Sequence, residues 1–209
     1  LFGCALLALL GGHETLTAHL NKVNVVGVGT PTAMATGSVI DPDGYILTAW
    51  HVVDQRNIRD RVILADGTQV RFTIVARDVA NDLCILKVDR VFKDYVRIGT
   101  QPKPGDYVYG LGHPWSHEYF QVNGLVTRKK ESWMGGQYNA MRVFMTMAPG
   151  LSGCPVVNEQ GLLIGVGVGG YFERTPDSNA KHKSWSDDAI VVHVRLVVAM
   201  MQRANIDGK

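Results

Sequence analysis

Short apolar runs broken by turn residues fill the chain from Val23 onward, and their alternation has the period expected of strands. Residues 23–29 are rich in valine. Residues 37–40 run into the turn Asp41-Pro42-Asp43-Gly44 and residues 45–48 leave it, which predicts a hairpin leading directly to His51. Further strands are predicted over 62–65, ending at the turn Asp66-Gly67, then over 70–75 and 83–88. The turn Lys103-Pro104-Gly105-Asp106 separates these from a second set, over 107–112, 119–127, 142–147, 155–158 and 162–168. Two strand sets on either side of one joint imply two β-barrels with a cleft between them. The period changes near the end, where Leu196, Val197, Met200, Met201 and Ala204 predict a C-terminal helix docked on the second barrel. The polar stretch 173–187 is expected to be a mobile loop, and the cationic run Arg128-Lys129-Lys130 a solvated turn.

Residues 1–12 are apolar throughout and do not begin with Met. Such a run has the length of a secretory signal's apolar stretch and falls short of the roughly 20 residues of a membrane span. A truncated signal or anchor is therefore expected, with export or attachment to a membrane through this segment; a packed N-terminal helix is the alternative. The expected organisation is an N-terminal segment at 1–22, a first barrel at about 23–102, a second at about 103–193 and the helix at about 194–206. With 23 glycines in 209 residues the chain exceeds the usual share of roughly 7%, as a turn-rich β fold requires. Against 19 acidic side chains stand 21 basic ones, a net +2 that gives no reason to expect nucleic acid as a partner. Cys4, Cys84 and Cys154 match neither a disulfide framework nor a zinc pattern. His113 and His117 are four apart, but Pro114 lies between them and no third ligand is evident, so neither a metal nor a cofactor is expected.

Three segments carry candidate chemistry. Leu47-Thr48-Ala49-Trp50-His51-Val52-Val53 supplies an imidazole, Asn81-Asp82-Leu83-Cys84 a carboxylate, and Pro149-Gly150-Leu151-Ser152-Gly153-Cys154-Pro155 a hydroxyl between glycines. A serine hydroxyl becomes a nucleophile when a neutral imidazole takes its proton, and a carboxylate on the other ring nitrogen fixes the tautomer and stabilises the imidazolium. His51, Asp82 and Ser152 suit those roles in the order His…Asp…Ser. The backbone N–H groups of Gly150 and Ser152 are the candidate donors to a developing oxyanion. Cys154, two residues on, could be proposed as a thiol nucleophile, but the Gly-Leu-Ser-Gly setting puts the serine at the elbow.

The same segments, with residues 37–48, 78–88 and 103–114, resemble the trypsin-like peptidase domain of the HtrA/DegP group over roughly residues 24–204. The resemblance implies an all-β, chymotrypsin/trypsin-like double six-stranded β-barrel with a C-terminal helix. It also implies a serine endopeptidase acting on polypeptides, with His51 as base, Asp82 as its orienter and Ser152 as nucleophile. Met147 and Ala148, with Val168, Gly169 and Gly170, would line the pocket for the residue before the scissile bond; no charge sits there, so an apolar preference is expected. The chain departs from the group in having Leu151 where an Asn or Asp is usual and Cys154 in place of a glycine. Without a carboxylate beside Ser152, zymogen activation by a new N-terminal amine is not expected, nor is regulation by a peptide-binding PDZ module. A homo-oligomer is compatible with the group. The alternatives are a catalytically silent domain that binds peptides or acts as a chaperone, and a processing peptidase of phage origin.

Overall fold

A computed structural model describes residues 25–30, 33–54, 61–116, 119–133, 136–170 and 187–207. The N-terminal segment, Cys4, His117 and nearly all of the 173–187 loop lie outside the described residues. Among the described residues no helix is long and apolar enough to cross a membrane.

The first half is a seven-stranded sheet. Its strands are β1 (Val25–Thr30), β2 (Ala33–Asp41), β3 (Tyr45–Ala49), β4 (Val62–Ile63), β5 (Gln69–Val70), β6 (Phe72–Asp78) and β7 (Leu83–Val88), in the spatial order β5-β4-β1-β2-β3-β7-β6. The second half is a closed six-stranded barrel of β8 (Tyr107–Gly112), β9 (Phe120–Trp133), β10 (Gly136–Phe144), β11 (Cys154–Val157), β12 (Leu163–Gly170) and β13 (Asp188–His193), in the order β10-β13-β12-β11-β8-β9. The expected fold class is thus met, with a six-stranded closure in the second half and a half-barrel sheet in the first. A one-turn helix α1 (Trp50–Val53) follows β3, and α2 (Val194–Arg203) ends the fold.

The hairpin predicted around the Asp41–Gly44 turn forms as β2 and β3, with Ser38 opposite Leu47 and Val39 opposite Ile46. Its turn is closed by the Gly44 N–H on the Asp41 carbonyl and by the Asp43 N–H on the Asp41 carboxylate. Gly44 takes φ +90 there, and a Cβ would meet the carbonyl oxygens of Arg90 and Val88. β3 then runs between β2 and β7, with Thr48 opposite Cys84 and Ala49 opposite Leu83, so the end of β3 and the start of β7 are held side by side. This register brings α1 to the residue before β7.

Two expectations change. The run Arg128-Lys129-Lys130 lies within β9 instead of at a turn: the strand's outer face is solvated, and Glu131 sits 3.8 Å from Arg128 and 3.4 Å from Arg142 of β10. β13 was not expected, because its six residues follow directly on the polar loop; it nevertheless closes the barrel between β10 and β12 and is nearly all buried.

Candidate active site

Asp82 stands at the end of a 3-10 turn (Val79–Asn81) in the left-handed conformation, φ 55, and is fully buried. That conformation is uncommon outside glycine, although Asp and Asn tolerate it best. Asp78 supports the turn by accepting from both the backbone and the side-chain N–H of Asn81. From this position Asp82 receives two bonds from one residue: the His51 backbone N–H donates to one carboxylate oxygen at 2.8 Å, and ring Nδ1 lies 2.7 Å from the other. The Asp82 carbonyl also accepts from the Trp50 N–H at 3.1 Å, so the first turn of α1 is built on this one residue. The His51 ring remains about one-third exposed while its partner is closed off.

Ser152 comes to the same place from the second barrel. His51 and Ser152 line one open cleft of about 560 Å³, together with Met34, Trp115, Pro149 and Gly150. No hydrogen bond joins the Ser152 hydroxyl to His51, so the two groups share the cleft without yet being coupled. The loop between them is shaped by its glycines. The Leu151 N–H bonds the Ala148 carbonyl at 3.0 Å across Pro149 and Gly150, and Gly150 takes φ +98, which is the pattern of a type II turn with Pro first and Gly second. A Cβ on Gly150 would stand 2.1 Å from the His113 carbonyl oxygen, and one on Gly153 would stand 2.1 Å from that of Thr36. Neither position admits a side chain.

The back of this loop is tied to a second strained turn. The Trp115 N–H donates to the Pro149 carbonyl at 2.8 Å, while Trp115 (φ 49) and Ser116 (φ 64) are consecutive non-glycine residues in the left-handed region. Each such residue costs roughly 1–2 kcal/mol. Because the peptide link is planar and trans, a Pro149 carbonyl held behind the loop turns the Gly150 N–H the other way. Among the described residues, neither the Gly150 N–H nor the Ser152 N–H has an acceptor.

Leu151 and Cys154 are fully buried in the core of the second barrel. Desolvation pushes the Cys154 thiol up to about 12, so it is held as a neutral thiol packed against Gly167, whose Cβ would stand 2.7 Å from its sulfur. Cys84 is likewise buried and pushed up to about 12. His113 is buried against Tyr119, with ring centroids 5.3 Å apart, and burial lowers its pKa to about 4.

The residues expected to shape specificity do not line the cleft that His51 and Ser152 share. Met147, Ala148 and Val168 are buried. The space expected over the two glycines is already furnished: a Cβ on Gly169 would stand 3.0 Å from the Trp133 indole and one on Gly170 3.3 Å from Met147. The backbone of Trp133 is held in turn by Asn139, whose side chain accepts from the Trp133 backbone N–H at 2.8 Å and donates to Asn81 beside Asp82 at 2.9 Å. Neither Trp133 nor Asn139 could be singled out from the sequence, since nothing local distinguishes them from ordinary strand residues.

Residues 35–166 match the trypsin-like peptidase domain family. The chain belongs to that family. Its relatives include a probable periplasmic serine endoprotease DegP-like of Hahella chejuensis, 31% identical over 146 residues, which cover 66% of this chain and 30% of the relative. Another is the putative protease Do-like 14 of Arabidopsis thaliana, 30% identical over 157 residues, 68% of this chain and 37% of the relative. The chain therefore spans about three-tenths of the length of the curated relatives it matches. Among solved structures, an HtrA-type protease with tripeptide superposes with a TM-score of 0.76 at 19% identity, covering 93% of this chain and 64% of the other. The serine endoprotease from Yersinia pestis gives 0.74 at 21% identity, covering 94% and 68%. At these identities the two structures bear on the fold, and the family match rests on the sequence.

Proposed function

We propose that this trypsin-like domain is a serine endopeptidase that cleaves polypeptides through an acyl-enzyme, with Ser152 as nucleophile, His51 as general base and Asp82 as the residue that orients it. The paired hydrogen bonds from His51 to Asp82, at the mouth of the cleft that also takes Ser152, carry the proposal. Asp82 accepts the Nδ1 proton, which leaves Nε2 bare to receive the proton of Ser152 as its oxygen attacks the substrate carbonyl carbon. The free N–H groups of Gly150 and Ser152 then stabilise the oxyanion of the tetrahedral intermediate, a contribution of roughly 10²–10³ in rate for one donor. As the intermediate collapses, Nε2 passes its proton to the leaving amine, and water repeats the sequence on the acyl-enzyme. The hydrogen bond between Ser152 and His51, not made in this structure, is of the kind that closes when substrate arrives.

The uncharged set Met147, Ala148, Val168, Gly169 and Gly170 supports an apolar residue before the scissile bond, in a pocket that opens when the Trp133 indole over Gly169 moves aside. Relatives described as periplasmic support an exported protein. Labelling with a fluorophosphonate probe tests the central reading: the parent should react, and Ser152→Ala and His51→Ala should not. A folded parent that stays unlabelled would overturn it in favour of a silent peptide-binding domain.

A further inference from the structure

Thr36 is fully buried in β2, in the half of the molecule that holds His51 and Asp82, yet most of its polar groups are engaged with the loop of Ser152. Its backbone N–H donates to the Ser152 carbonyl at 3.0 Å. Its hydroxyl donates to the Gly150 carbonyl at 2.6 Å and accepts from the His113 N–H at 3.1 Å. The hydroxyl's single proton is thereby committed to Gly150, leaving none for Nδ1 of His113 at 3.5 Å. Its own carbonyl accepts from the Thr48 hydroxyl at 2.7 Å, which anchors this point of β2 to β3.

We propose that Thr36 is a positioning residue for the oxyanion-binding loop, its hydroxyl holding Gly150 in the conformation that presents the Gly150 and Ser152 N–H groups. This rests on the serine-peptidase reading of those groups. Glycine moves between positive and negative φ at little cost, so a loop whose function depends on Gly150 at φ +98 needs outside contacts to keep it there. Two contacts do so on adjoining peptide links: the Trp115 N–H on the Pro149 carbonyl, and the Thr36 hydroxyl on the Gly150 carbonyl. The Thr36 N–H secures the link beyond Ser152. The link 151–152, which carries the Ser152 N–H, is itself held by the Cys154 N–H on the Leu151 carbonyl at 2.9 Å, so Thr36 acts on the links on either side of it.

Removal of the hydroxyl has a geometric consequence. Valine keeps the shape of threonine but puts a methyl carbon where the oxygen stands 2.6 Å from the Gly150 carbonyl, and carbon stays roughly 3.3 Å or more from oxygen. The loop must retreat by several tenths of an ångström, and displacement on the scale of 1 Å at a reacting centre costs roughly 10²-fold. In Thr36→Val, kcat per fluorophosphonate-titrated site should fall roughly tenfold to 10²-fold with KM changed less than about threefold. Binding of a peptide aldehyde, whose adduct is tetrahedral, should weaken in the same proportion as kcat/KM. Thr36→Ala should fall in the same direction, and Thr36→Ser, which restores the hydroxyl, should return to within a few-fold of the parent. Counting titrated sites removes molecules that fail to fold, so a purely structural role would lower the number of sites and leave kcat per site unchanged. Thr36→Val and Thr36→Ala with parental kcat per site, or Thr36→Ser as impaired as Thr36→Val, would overturn the proposal while leaving the peptidase reading intact. A folded parent that never labels would overturn both.

Discussion

Asp82→Asn should abolish most of the activity without disturbing the fold, and the geometry around His51 says why. His51 presents two donors to the two carboxylate oxygens, its backbone N–H at 2.8 Å and ring Nδ1 at 2.7 Å. Asparagine offers one oxygen and one NH2 group. If the NH2 faced the backbone N–H, two buried donors would oppose each other, at a cost of about 1–3 kcal/mol or more. The amide oxygen therefore stays on the backbone N–H and the NH2 turns to Nδ1, which must then be bare. The ring proton moves to Nε2, the atom that has to receive the proton of Ser152. A fall in kcat/KM of roughly 10³–10⁴ is expected, equivalent to about 4–5.5 kcal/mol of transition-state stabilisation. The backbone at this position favours the variant, because φ 55 suits Asn as well as Asp. The melting temperature should accordingly shift by no more than a few degrees. Hydrolysis of a fluorogenic peptide, compared with thermal melts of the same preparations, decides it. A folded variant keeping more than about a tenth of the parental kcat/KM would refute the tautomer argument.

Further outcomes follow from the surrounding loops. Gly150→Ala should lose at least about 10²-fold in labelling rate and also stability, since its Cβ would stand 2.1 Å from the His113 carbonyl; Gly67→Ala, at φ +79 with open space around its Cβ, should cost only about 1 kcal/mol and no activity. Parental labelling of Gly150→Ala contradicts the loop geometry. Burial holds the folded His113 at about 4, below its ordinary 6.5, so the unfolded chain binds the proton first and the stabilisation, complete above about pH 6.5, is lost as pH falls towards 4. Urea midpoints should therefore drop more for the parent than for His113→Gln between pH 7.5 and pH 5, by about 2 kcal/mol in stability, and equal drops would show that His113 is not responsible. Iodoacetamide at pH 8 should leave the native protein active, because the Cys154 thiol is buried and pushed up to about 12; inactivation in step with Cys154 alkylation would argue for a thiol nucleophile.

Features written in neighbouring residues were legible in the sequence alone. The Asp41–Gly44 turn and the alternation on either side determine the β2–β3 hairpin, because both act over a few residues. The same is true of the helical spacing that became α2. β13 and the true place of Arg128–Lys130 were not legible, since a barrel strand with a solvated face or a polar neighbour has no local mark separating it from a loop.

Candidate residues for the site could be named from the sequence, but their relations could not. His51 reaches Asp82 only because the β3–β7 register sets Ala49 beside Leu83. Thr36 reaches Gly150 across 114 positions only because the first-half sheet and the closed barrel meet at β2. The filling of the expected pocket by Trp133 and Met147 was decided in the same way, by which side chains barrel closure brings over Gly169 and Gly170. Turn chemistry and strand period are short-range and survive in the one-dimensional pattern. Which buried polar group finds which partner depends on how the two halves pack, and that exists only in the folded chain.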